Sequence, residues 1–379
     1  MSVPVLFYAP MKPPGAFPPS GDTHLAALFA EALMMAGFSP SLASRLKTYD
    51  GAGDAAFFAQ LEAHADREVA RIVADPALSQ ARLFFTYHCY HKAPDLIGPR
   101  IARALNIPYV IAEGSRALKQ RQGKWAHGFA AADVAFAAAD LVLAMTSRDA
   151  AGLATLADLR VEPFRPFIHT ERFAVDDRTR AAFRESWRAR LSLPSHAPML
   201  LAAAMMRPGK KQAGFDDLFA IMRALETTPA RDAVLVLAGG GAAEAAIRAL
   251  MAPFGAHVRF AGLQPRDDMA GLYAASDLHI WPGRNEAFGL SYLEAAAAGT
   301  PSIAFDQAGV GAVVAPGKTG VLVPPFDHAA FAGAVAQLVG DRADLRALSA
   351  AAQTHVRTCH DIASAAAHLV RLLSPLVSA

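Results

Sequence analysis

The sequence predicts an α/β protein with two domains, each built on a doubly wound parallel sheet. Short apolar runs alternate with longer helical patterns along the whole chain, as expected for repeated strand–helix–strand units. The alternation occurs twice, on either side of a proline-rich stretch at residues 162–167 that we do not expect to form a regular element. At 379 residues, the chain is long enough for two cores of ordinary size.

Each predicted strand is a short apolar run, and each predicted helix has apolar residues at helical spacing. In the first half the strands are Pro4–Ala9, Arg82–Tyr87, Pro108–Ala112 and Leu141–Met145, and the helices include Thr23–Ala36 and Leu96–Leu105. In the second half the strands are Met199–Ala204, Ala233–Ala238, His257–Ala261, Asp277–Trp281, Pro301–Phe305 and Gly320–Val323. The helices between them include Phe215–Leu225, Ala242–Met251, Arg266–Ala275 and Leu290–Ala298.

These patterns place the first domain at residues 1–170 and the second at 171–359. The charged helical stretch Asp176–Leu191 opens the second domain, and we expect the C-terminal helix, residues 360–379, to pack back on the first.

Composition excludes several classes of protein. The chain is 53% hydrophobic and 18% charged, which excludes disorder, and no apolar run reaches the ~18–20 residues of a membrane span. The N-terminus has no basic region before its apolar run, so it indicates a first strand rather than a signal peptide. Two cysteines, Cys89 and Cys359, fit a reducing cytoplasm. A formal net charge of +2 does not favour a nucleic-acid partner.

The segment from Arg284 to Thr300 is the most informative part of the chain. Glu286 and Glu294 are separated by seven residues, with a predicted strand before them and a predicted helix after Phe288. Glu286 is therefore expected in a loop at the carboxyl end of a strand, and Glu294 about two turns into the helix. Ligands of open α/β sheets bind at this edge.

The start of that helix is suited to an anion. Gly289, Leu290 and Ser291 occupy its first turn, where backbone N–H groups have no intrahelical partner and carry the positive end of the helix dipole. Two carboxylates flanking such a site suggest a sugar–phosphate–sugar ligand, in which Glu294 accepts hydrogen bonds from a ribose diol. Two solvated Glu on an ordinary amphipathic helix remain the alternative.

Cations and glycines follow neighbouring strands. Arg207, Lys210 and Lys211 come after the strand Met199–Ala204, where they can neutralise a diphosphate leaving group; surface charge before a helix is the alternative. The run Gly239–Gly241 lacks dinucleotide-binding spacing, so packing against a helix is its expected role.

In the first half, polar residues follow the predicted strands. Gly21 either lets backbone approach a ligand or belongs to a helix start capped by Ser20 or Asp22. His88 and Glu113 are candidates for the acceptor side of a cleft. For the segment that contains Glu113, the alternative is a helix start capped by Ser115.

Two further patterns in the first half have simpler interpretations. His88, Cys89 and His91 match no standard zinc spacing, so we expect no metal and no cofactor. The basic run Arg116, Lys119, Arg121 and Lys124 beside Trp125 is typical of a solvated face, with peripheral contact to an anionic membrane as the less favoured reading.

Over about residues 195–350 the chain resembles the retaining glycosyltransferases of family four, also called glycosyl transferases group 1. The matching segments are Arg207 with Lys210 or Lys211, Leu237–Gly241, Val258–Gly262, Leu272–Asp277, Glu286–Glu294, Ala298–Pro301 and Gly320–Val323. Members of this family have the GT-B architecture, two facing Rossmann-like domains. The first half matches more loosely, since Glu113 ends a strand that ends in His in many members.

The resemblance implies a nucleotide-sugar donor held by the second domain, without a metal. Glu294 would hold the ribose, Glu286 the transferred sugar, and backbone at Gly262 and Leu263 the base. The diphosphate would lie against Phe288, Gly289, Leu290 and Ser291, with Arg207 and Lys211; which of Lys210 and Lys211 contacts phosphate is left open.

The expected function is transfer of a hexose, with retention, from a nucleoside diphosphate sugar to a hydroxyl acceptor. The acceptor is expected to be a glycan or lipid-linked sugar of cell-surface synthesis, and closure of the two domains is expected to exclude water. Two alternatives use the same architecture: a phosphorylase or epimerase, and a catalytically silent nucleotide-binding subunit.

Overall fold

The computed structural model describes residues 2–16, 20–284 and 286–378, and within them the side chains of Lys210 and Asp267 are not described. The chain forms two compact units. The first contains Met1–Arg165 with Ile362–Ala379, and the second contains Pro166–Asp361. The first segment of the first unit ends at residue 165, five residues before the expected domain limit at 170. The second unit ends at residue 361, two residues after the expected limit at 359.

The first unit is built on a six-stranded, fully parallel sheet of order β2-β1-β3-β4-β5-β6. Its strands are β1 Val3–Tyr8, β2 Phe38–Leu42, β3 Leu83–Tyr90, β4 Tyr109–Ser115, β5 Leu141–Ala144 and β6 Val161–Pro163. Its helices are α1 Gly21–Met35, α2 Ala55–Ala74, α3 Gly98–Leu105, α4 Ala126–Ala138, α5 Ser147–Leu153 and, at the C-terminal end, α13 Ile362–Ser378. Helix α13 lies against α1 within this unit.

The second unit repeats the architecture, with the parallel strand order β12-β11-β10-β7-β8-β9. Its strands are β7 Met199–Ala203, β8 Val234–Ala238, β9 Val258–Gly262, β10 Leu278–Ile280, β11 Ser302–Phe305 and β12 Gly320–Val323. Its helices are α6 Asp177–Arg190, α7 Lys210–Leu225, α8 Glu244–Met251, α9 Arg266–Ala275, α10 Leu290–Ala297, α11 His328–Gly340 and α12 Arg342–Cys359.

The central strands of both sheets are buried on both faces, as expected for parallel sheets with helices on each side. All five residues of β8 and all four of β5 and β11 are buried, which explains why these strands are continuous apolar runs. Within the described ranges, no helix combines the length and the apolar composition that crossing a membrane requires.

Asp277 ties two helices of the second unit to its sheet. The carboxylate accepts from Met199 N at 2.8 Å, from Arg184 at 2.9 Å and from Arg342 at 2.7 Å. Burial acts to raise the pKa of Asp277, but the two guanidinium groups hold it below its usual range. The group therefore stays ionised and joins α6 and α12 to β7.

The ten strands predicted from the sequence are all present, Gly320–Val323 with the predicted limits and the others with at least one shifted end, and two strands were missed. Strand β2 has alternating burial and is short. Strand β6 corrects the expectation of no regular element at residues 162–167: it pairs with β5 through Val161–Pro163. Because β6 is at the sheet edge, the missing N–H of Pro163 is tolerated.

The starts of helices were predicted less accurately than the starts of strands. Helix α9 has the predicted limits, whereas α7 begins at Lys210 rather than Phe215. Its first five residues are polar or small, so apolar spacing could not detect them.

Candidate donor site

In each unit the strand order reverses at one position, which is where ligands of doubly wound sheets bind. In the second unit the reversal lies between β7 and β10, which are adjacent in the sheet. The segment after β7 carries Arg207 and leads to Lys211 on α7. The segment after β10 carries Glu286 and leads to Glu294 on α10. The sequence-predicted donor residues therefore follow two neighbouring strands.

Glu286 lies in the loop after β10, as predicted, and its carboxylate is held on two sides. Trp281 Nε1 donates to Glu286 Oε1 at 2.9 Å, and the ammonium of Lys211 makes an ion pair with the same oxygen. The Glu286 side chain is 15% exposed. Its backbone N–H donates to Gly283 O at 3.1 Å, which closes the turn that carries it. The carboxylate is thus fixed and largely desolvated.

Glycine allows α7 to lie directly on the indole that orients Glu286. A Cβ at Gly214 would lie 2.8 Å from the six-membered ring of Trp281. Lys211, one turn earlier on the same helix, places its Nζ 5.4 Å from the centre of that ring. Close packing of α7 therefore brings the lysine to the carboxylate.

Glu294 is the fifth residue of α10, about one turn into the helix, which corrects the expectation of two turns. Tyr273 donates its hydroxyl to Glu294 Oε2 at 3.1 Å, and Arg266 lies 3.7 Å from Oε1. Burial raises the pKa of Glu294, while Arg266 and the Tyr273 hydroxyl act to lower it. The side chain is 13% exposed, so it keeps a limited opening to a ligand.

A layer of buried rings connects the two carboxylates: Trp281, Tyr292, His279 and Tyr273. Tyr292 donates its hydroxyl to Trp281 O at 2.9 Å, and its ring meets that of His279 edge to face, with centroids 5.2 Å apart. The His279 ring meets that of Tyr273 at 5.8 Å. Burial lowers the pKa of His279 to about 3, so this ring is neutral. The spacing of the two carboxylates is therefore set by a rigid, apolar layer.

Two helix N-termini at the reversal point have a glycine cap without a side-chain hydrogen bond. Gly209 precedes α7 with φ 85°, and Gly289 precedes α10 with φ 87°. By contrast, the helices α2, α6, α11 and α12 are capped by Asp side chains. The first N–H groups of α7 and α10 can therefore donate to an anion, although α3, α4, α8 and α9 also lack a side-chain cap.

The glycine run after β8 packs against the backbone that leads to Arg207. Met206 N donates to Gly240 O at 2.9 Å, and side chains at Gly239 or Gly241 would overlap carbonyl oxygens of this segment. The expected packing role of these glycines is thus observed, with a loop rather than a helix as the partner. Arg207 is half-buried.

Other predicted donor residues lie around this edge. Gly262 ends β9 with φ 74°, and Leu263 after it is 69% exposed. Phe288 is buried, whereas Leu290 and Ser291 are half-buried on the first turn of α10. The question of which lysine contacts phosphate involves Lys210, whose side chain lies outside the described part of the chain.

An ion cluster that the sequence did not reveal holds the loop carrying Glu286. Arg284 donates to both carboxylate oxygens of Asp217, at 2.9 and 2.7 Å, and His328 Nε2 lies 3.0 Å from Asp217 Oδ1. Asp217 is fully buried on α7. Its partners are 67 and 111 residues away, so no local pattern could identify the cluster.

In the first unit the reversal lies between β1 and β3. Gly21 begins α1, and Ser20 caps the helix by accepting from Thr23 N at 3.3 Å, which settles the capping alternative in favour of Ser20. His88, near the end of β3, has Nδ1 within 3.5 Å of Asp22 Oδ1 and 3.7 Å of Glu113 Oε2. The two acceptor-side candidates are therefore neighbours, and Asp22 joins them.

Other expectations for the first unit are revised. Ser115 is the last residue of β4 and the next turn of helix has Ala117 at its cap, so Ser115 does not have the capping role. Cys89 is buried in the apolar core, and among the described residues no three His, Cys, Asp or Glu side chains are placed so that they could hold a metal ion.

The basic run is not uniformly solvated. Arg116 is 8% exposed and makes two hydrogen bonds with Asp133, at 2.8 and 2.7 Å. The ammonium groups of Lys92 and Lys124 lie 4.0 and 4.3 Å from the centre of the Trp125 ring. Part of the run thus has a structural role.

Two doubly wound parallel units of this kind make up the GT-B fold. The Anabaena protein HepE, solved in complex with UDP, matches 99% of this chain and 100% of its own chain with a TM-score of 0.75 at 18% identity. Sucrose-phosphate synthase from Thermosynechococcus elongatus matches 99% of each chain with a TM-score of 0.75 at 20% identity.

Sequence comparison gives the family. The model for glycosyl transferases group 1 matches residues 183–355. D-inositol 3-phosphate glycosyltransferase 1 of Catenulispora acidiphila is 32% identical over 288 residues, which are 71% of this chain and 67% of that protein. The D-inositol 3-phosphate glycosyltransferase of Salinispora tropica is 32% identical over 231 residues, 58% of this chain; the match spans about half of that relative's length, 48%. The chain belongs to the glycosyl transferases group 1 family.

Proposed function

We propose that the protein is a retaining glycosyltransferase that moves a hexose from a nucleoside diphosphate sugar to a hydroxyl acceptor. The observation that carries the proposal is the pair Glu286 and Glu294, both largely buried, on either side of the glycine-capped start of α10. Retention is proposed because the motifs resemble those of a retaining family.

The site supports a simple division of tasks. Glu294 accepts hydrogen bonds from the ribose diol, and Glu286 accepts one from a hydroxyl of the transferred sugar. The helix starts after Gly209 and Gly289, with the side chains of Arg207 and Lys211, stabilise the negative charge that develops on the leaving diphosphate. Because cations of the chain supply this charge, we propose a reaction that needs no metal.

The ion pair between Lys211 and Glu286 determines how the site responds when the donor binds. In the structure each group neutralises the other. A bound diphosphate competes for the ammonium, which leaves Glu286 held by Trp281 and able to accept a sugar hydroxyl. Donor binding thus converts a preformed ion pair into two substrate contacts, with little reorganisation of either side chain.

The comparisons offer two kinds of acceptor. The relatives above are named for inositol 3-phosphate, whereas the structural neighbour WaaG, with a TM-score of 0.66 at 17% identity, is described as a glycosyltransferase involved in lipopolysaccharide biosynthesis. We retain a glycan or lipid-linked acceptor of cell-surface synthesis as the working hypothesis, and a cytoplasmic location with it.

The test uses purified protein and nucleoside diphosphate sugars of uridine and guanosine. We expect Glu286→Gln and Arg207→Ala each to lower nucleotide release by about 100-fold or more, because each removes stabilisation of the transition state. Glu226→Gln and Arg223→Ala, which remove exposed charges from the same unit, serve as controls and should keep full activity. Near-normal turnover in both site variants would refute the site assignment.

The same assay separates the alternatives. A silent nucleotide-binding subunit would bind the nucleotide but release none from the donor. A phosphorylase would need inorganic phosphate and yield a sugar phosphate, and an epimerase would change the sugar without transfer.

A further inference from the structure

Two residues at the carboxyl edge of the first unit's sheet have a left-handed backbone. His88 has φ 65° on β3 and Glu113 has φ 56° on β4. The residues before and after them are paired across the two strands, so His88 and Glu113 are opposite each other. This conformation is unfavourable for both residue types and tends to persist where function requires it.

Their side chains meet in a buried cluster with Asp22, the second residue of α1. His88 Nδ1 is 3.5 Å from Asp22 Oδ1 and 3.7 Å from Glu113 Oε2, distances too long for good hydrogen bonds. The Glu113 side chain is 7% exposed, and Glu113 Oε2 and His88 Nδ1 are buried without a hydrogen-bond partner. Buried polar atoms of native proteins are nearly always paired, so this exception needs a functional explanation.

The charges of the cluster follow from its geometry. Burial acts to lower the pKa of His88, but Glu113 and Asp22 outweigh it and raise the pKa to about 9. The ring is thus an imidazolium at neutral pH. Burial acts to raise the pKa of Asp22, but His88 and Lys12 hold it below its usual range, whereas burial raises the pKa of Glu113 although His88 acts to lower it. Two carboxyl groups therefore face one imidazolium, and with Asp22 ionised the three groups carry no net positive charge.

The imidazolium has one nitrogen left for a ligand. Since Nδ1 faces the two carboxylates, Nε2 is on the far side of the ring, and 13% of the His88 side chain remains exposed. Asp22, whose side chain is 33% exposed, offers carboxylate oxygens on the solvent side of the same cluster. One strong donor and neighbouring acceptors match a group that both donates and accepts hydrogen bonds.

We propose that Asp22, His88 and Glu113 bind the hydroxyls of an uncharged sugar or polyol acceptor. His88 donates to one oxygen of the acceptor, and the carboxylates accept from its hydroxyls. The phosphoryl group of a phosphorylated acceptor carries no donor when fully ionised, and a cluster without net positive charge does not offset the cost of removing that dianion from water. The site therefore selects neutral acceptors over phosphorylated ones. This inference rests on the proposed glycosyl transfer and defines its acceptor class.

The test measures nucleotide release from the donor with matched acceptors: glucose and glucose 6-phosphate, mannose and mannose 6-phosphate, myo-inositol and a myo-inositol phosphate. We expect neutral members to accelerate release above the rate with water, and to do so at least about tenfold better than their phosphate esters. Preference for the phosphorylated members, or no acceleration by any neutral member, would overturn the inference while leaving the donor site intact.

Variants test the three residues. Asp22→Asn, Glu113→Gln and His88→Gln should each raise KM for a neutral acceptor by about fivefold or more, without raising KM for the donor. The two carboxylate variants should also reduce the preference for neutral over phosphorylated acceptors. Asp66→Asn removes a carboxylate that is 66% exposed in the same unit and should change neither quantity. Unchanged acceptor preference in both carboxylate variants would contradict the assignment.

An NMR titration of the wild-type protein tests the proposal without turnover, and its main readout does not depend on whether the variants fold. The imidazole signals of His88 in isotope-labelled wild-type protein, assigned with His88→Gln, should shift on titration with the neutral sugars and polyols above. A larger response to inorganic phosphate or to the phosphate esters, or no response to any neutral probe, would overturn the proposal. Failure of the donor to bind or react is a separate result, which refutes the proposed function itself.

Discussion

Trp281 donates its indole N–H to Glu286 Oε1 at 2.9 Å, and Lys211 makes an ion pair with the same oxygen. The tryptophan is fully buried beneath α7, whereas the lysine side chain is 36% exposed. Because the buried partner does not move, the indole determines where the carboxylate lies. The lysine remains available to a ligand.

Trp281→Phe should therefore lower turnover while preserving the fold. The substitution keeps an aromatic ring under α7 but removes the donor to a charged carboxylate, a contact worth about 1.5–3 kcal/mol, or roughly 10- to 100-fold in rate. Initial rates of nucleotide release measure the effect. Trp187→Phe, at a buried tryptophan of the same unit whose ring lies 4.6 Å from the Arg190 guanidinium, is the matched control. Equal rates for Trp281→Phe and wild type would show that the indole does not orient Glu286.

Tyr273→Phe tests the ribose end of the site. The hydroxyl of Tyr273 orients Glu294 at 3.1 Å, so its loss should weaken binding of a ribonucleoside diphosphate by about tenfold. The 2′-deoxy analogue should be affected less, because it lacks one of the hydroxyls that Glu294 binds. Calorimetric titration of both nucleotides measures the difference. Tyr8→Phe, which removes a buried hydroxyl of the first unit, is the control, and parallel losses for both nucleotides would argue against a ribose contact.

Asp217→Asn tests the ion cluster that holds the loop carrying Glu286. The substitution removes the carboxylate that accepts two hydrogen bonds from Arg284, whose side chain is 32% exposed and stays partly hydrated, so we expect a loss of about 2 kcal/mol in the free energy of unfolding. The amide of Glu286, which donates to Gly283 O, should exchange its hydrogen faster. Exposed Asp216→Asn, on the same helix, is the control. Exchange at Glu286 that stays at the wild-type rate would show that the cluster does not restrain this loop.

His88 predicts a dependence of stability on alkaline pH. The pKa of this residue is raised from 6.5 to about 9 in the folded protein, so its contribution to stability is fully present below pH 6.5 and is lost as pH rises through about 9. The loss is of the order of 3 kcal/mol at most. Denaturant unfolding between pH 6 and 10 should show a steeper decline for wild type than for His88→Gln. Parallel curves would mean that His88 is not charged in the folded state.

The sequence predicted the fold more completely than it predicted the contacts within the site. Strands such as β8 and β11 are fully buried apolar runs, so hydropathy alone located them. The predicted start of helix α7, Phe215, was five residues too late. The first residues of this helix are small or polar, so they lack the apolar spacing on which the prediction depends. Strand β6 was missed because a proline at a sheet edge is tolerated, and the sequence does not tell which strand is the edge.

For the site, spacing along the chain placed Glu286 and Glu294 correctly on a loop and the helix that follows it. It could not reveal the contacts that orient them, since Trp281, Tyr273 and Asp217 reach these segments through packing of separate elements. The approach of Asp22 to His88 was also hidden: at a helix start an acidic residue is ordinary, and only the fold brings it to His88.

The most direct test of the account is the thermal stability of the protein with and without nucleoside diphosphates. We predict that UDP or GDP, at about 100 times its dissociation constant, stabilises the wild-type protein by about 2.7 kcal/mol and so raises its melting temperature by several degrees. Glu294→Gln should lose most of this shift. If neither nucleotide shifts the wild-type melting temperature at millimolar concentration, or if Glu294→Gln responds as strongly as wild type, the second unit does not bind a nucleotide sugar in the way described.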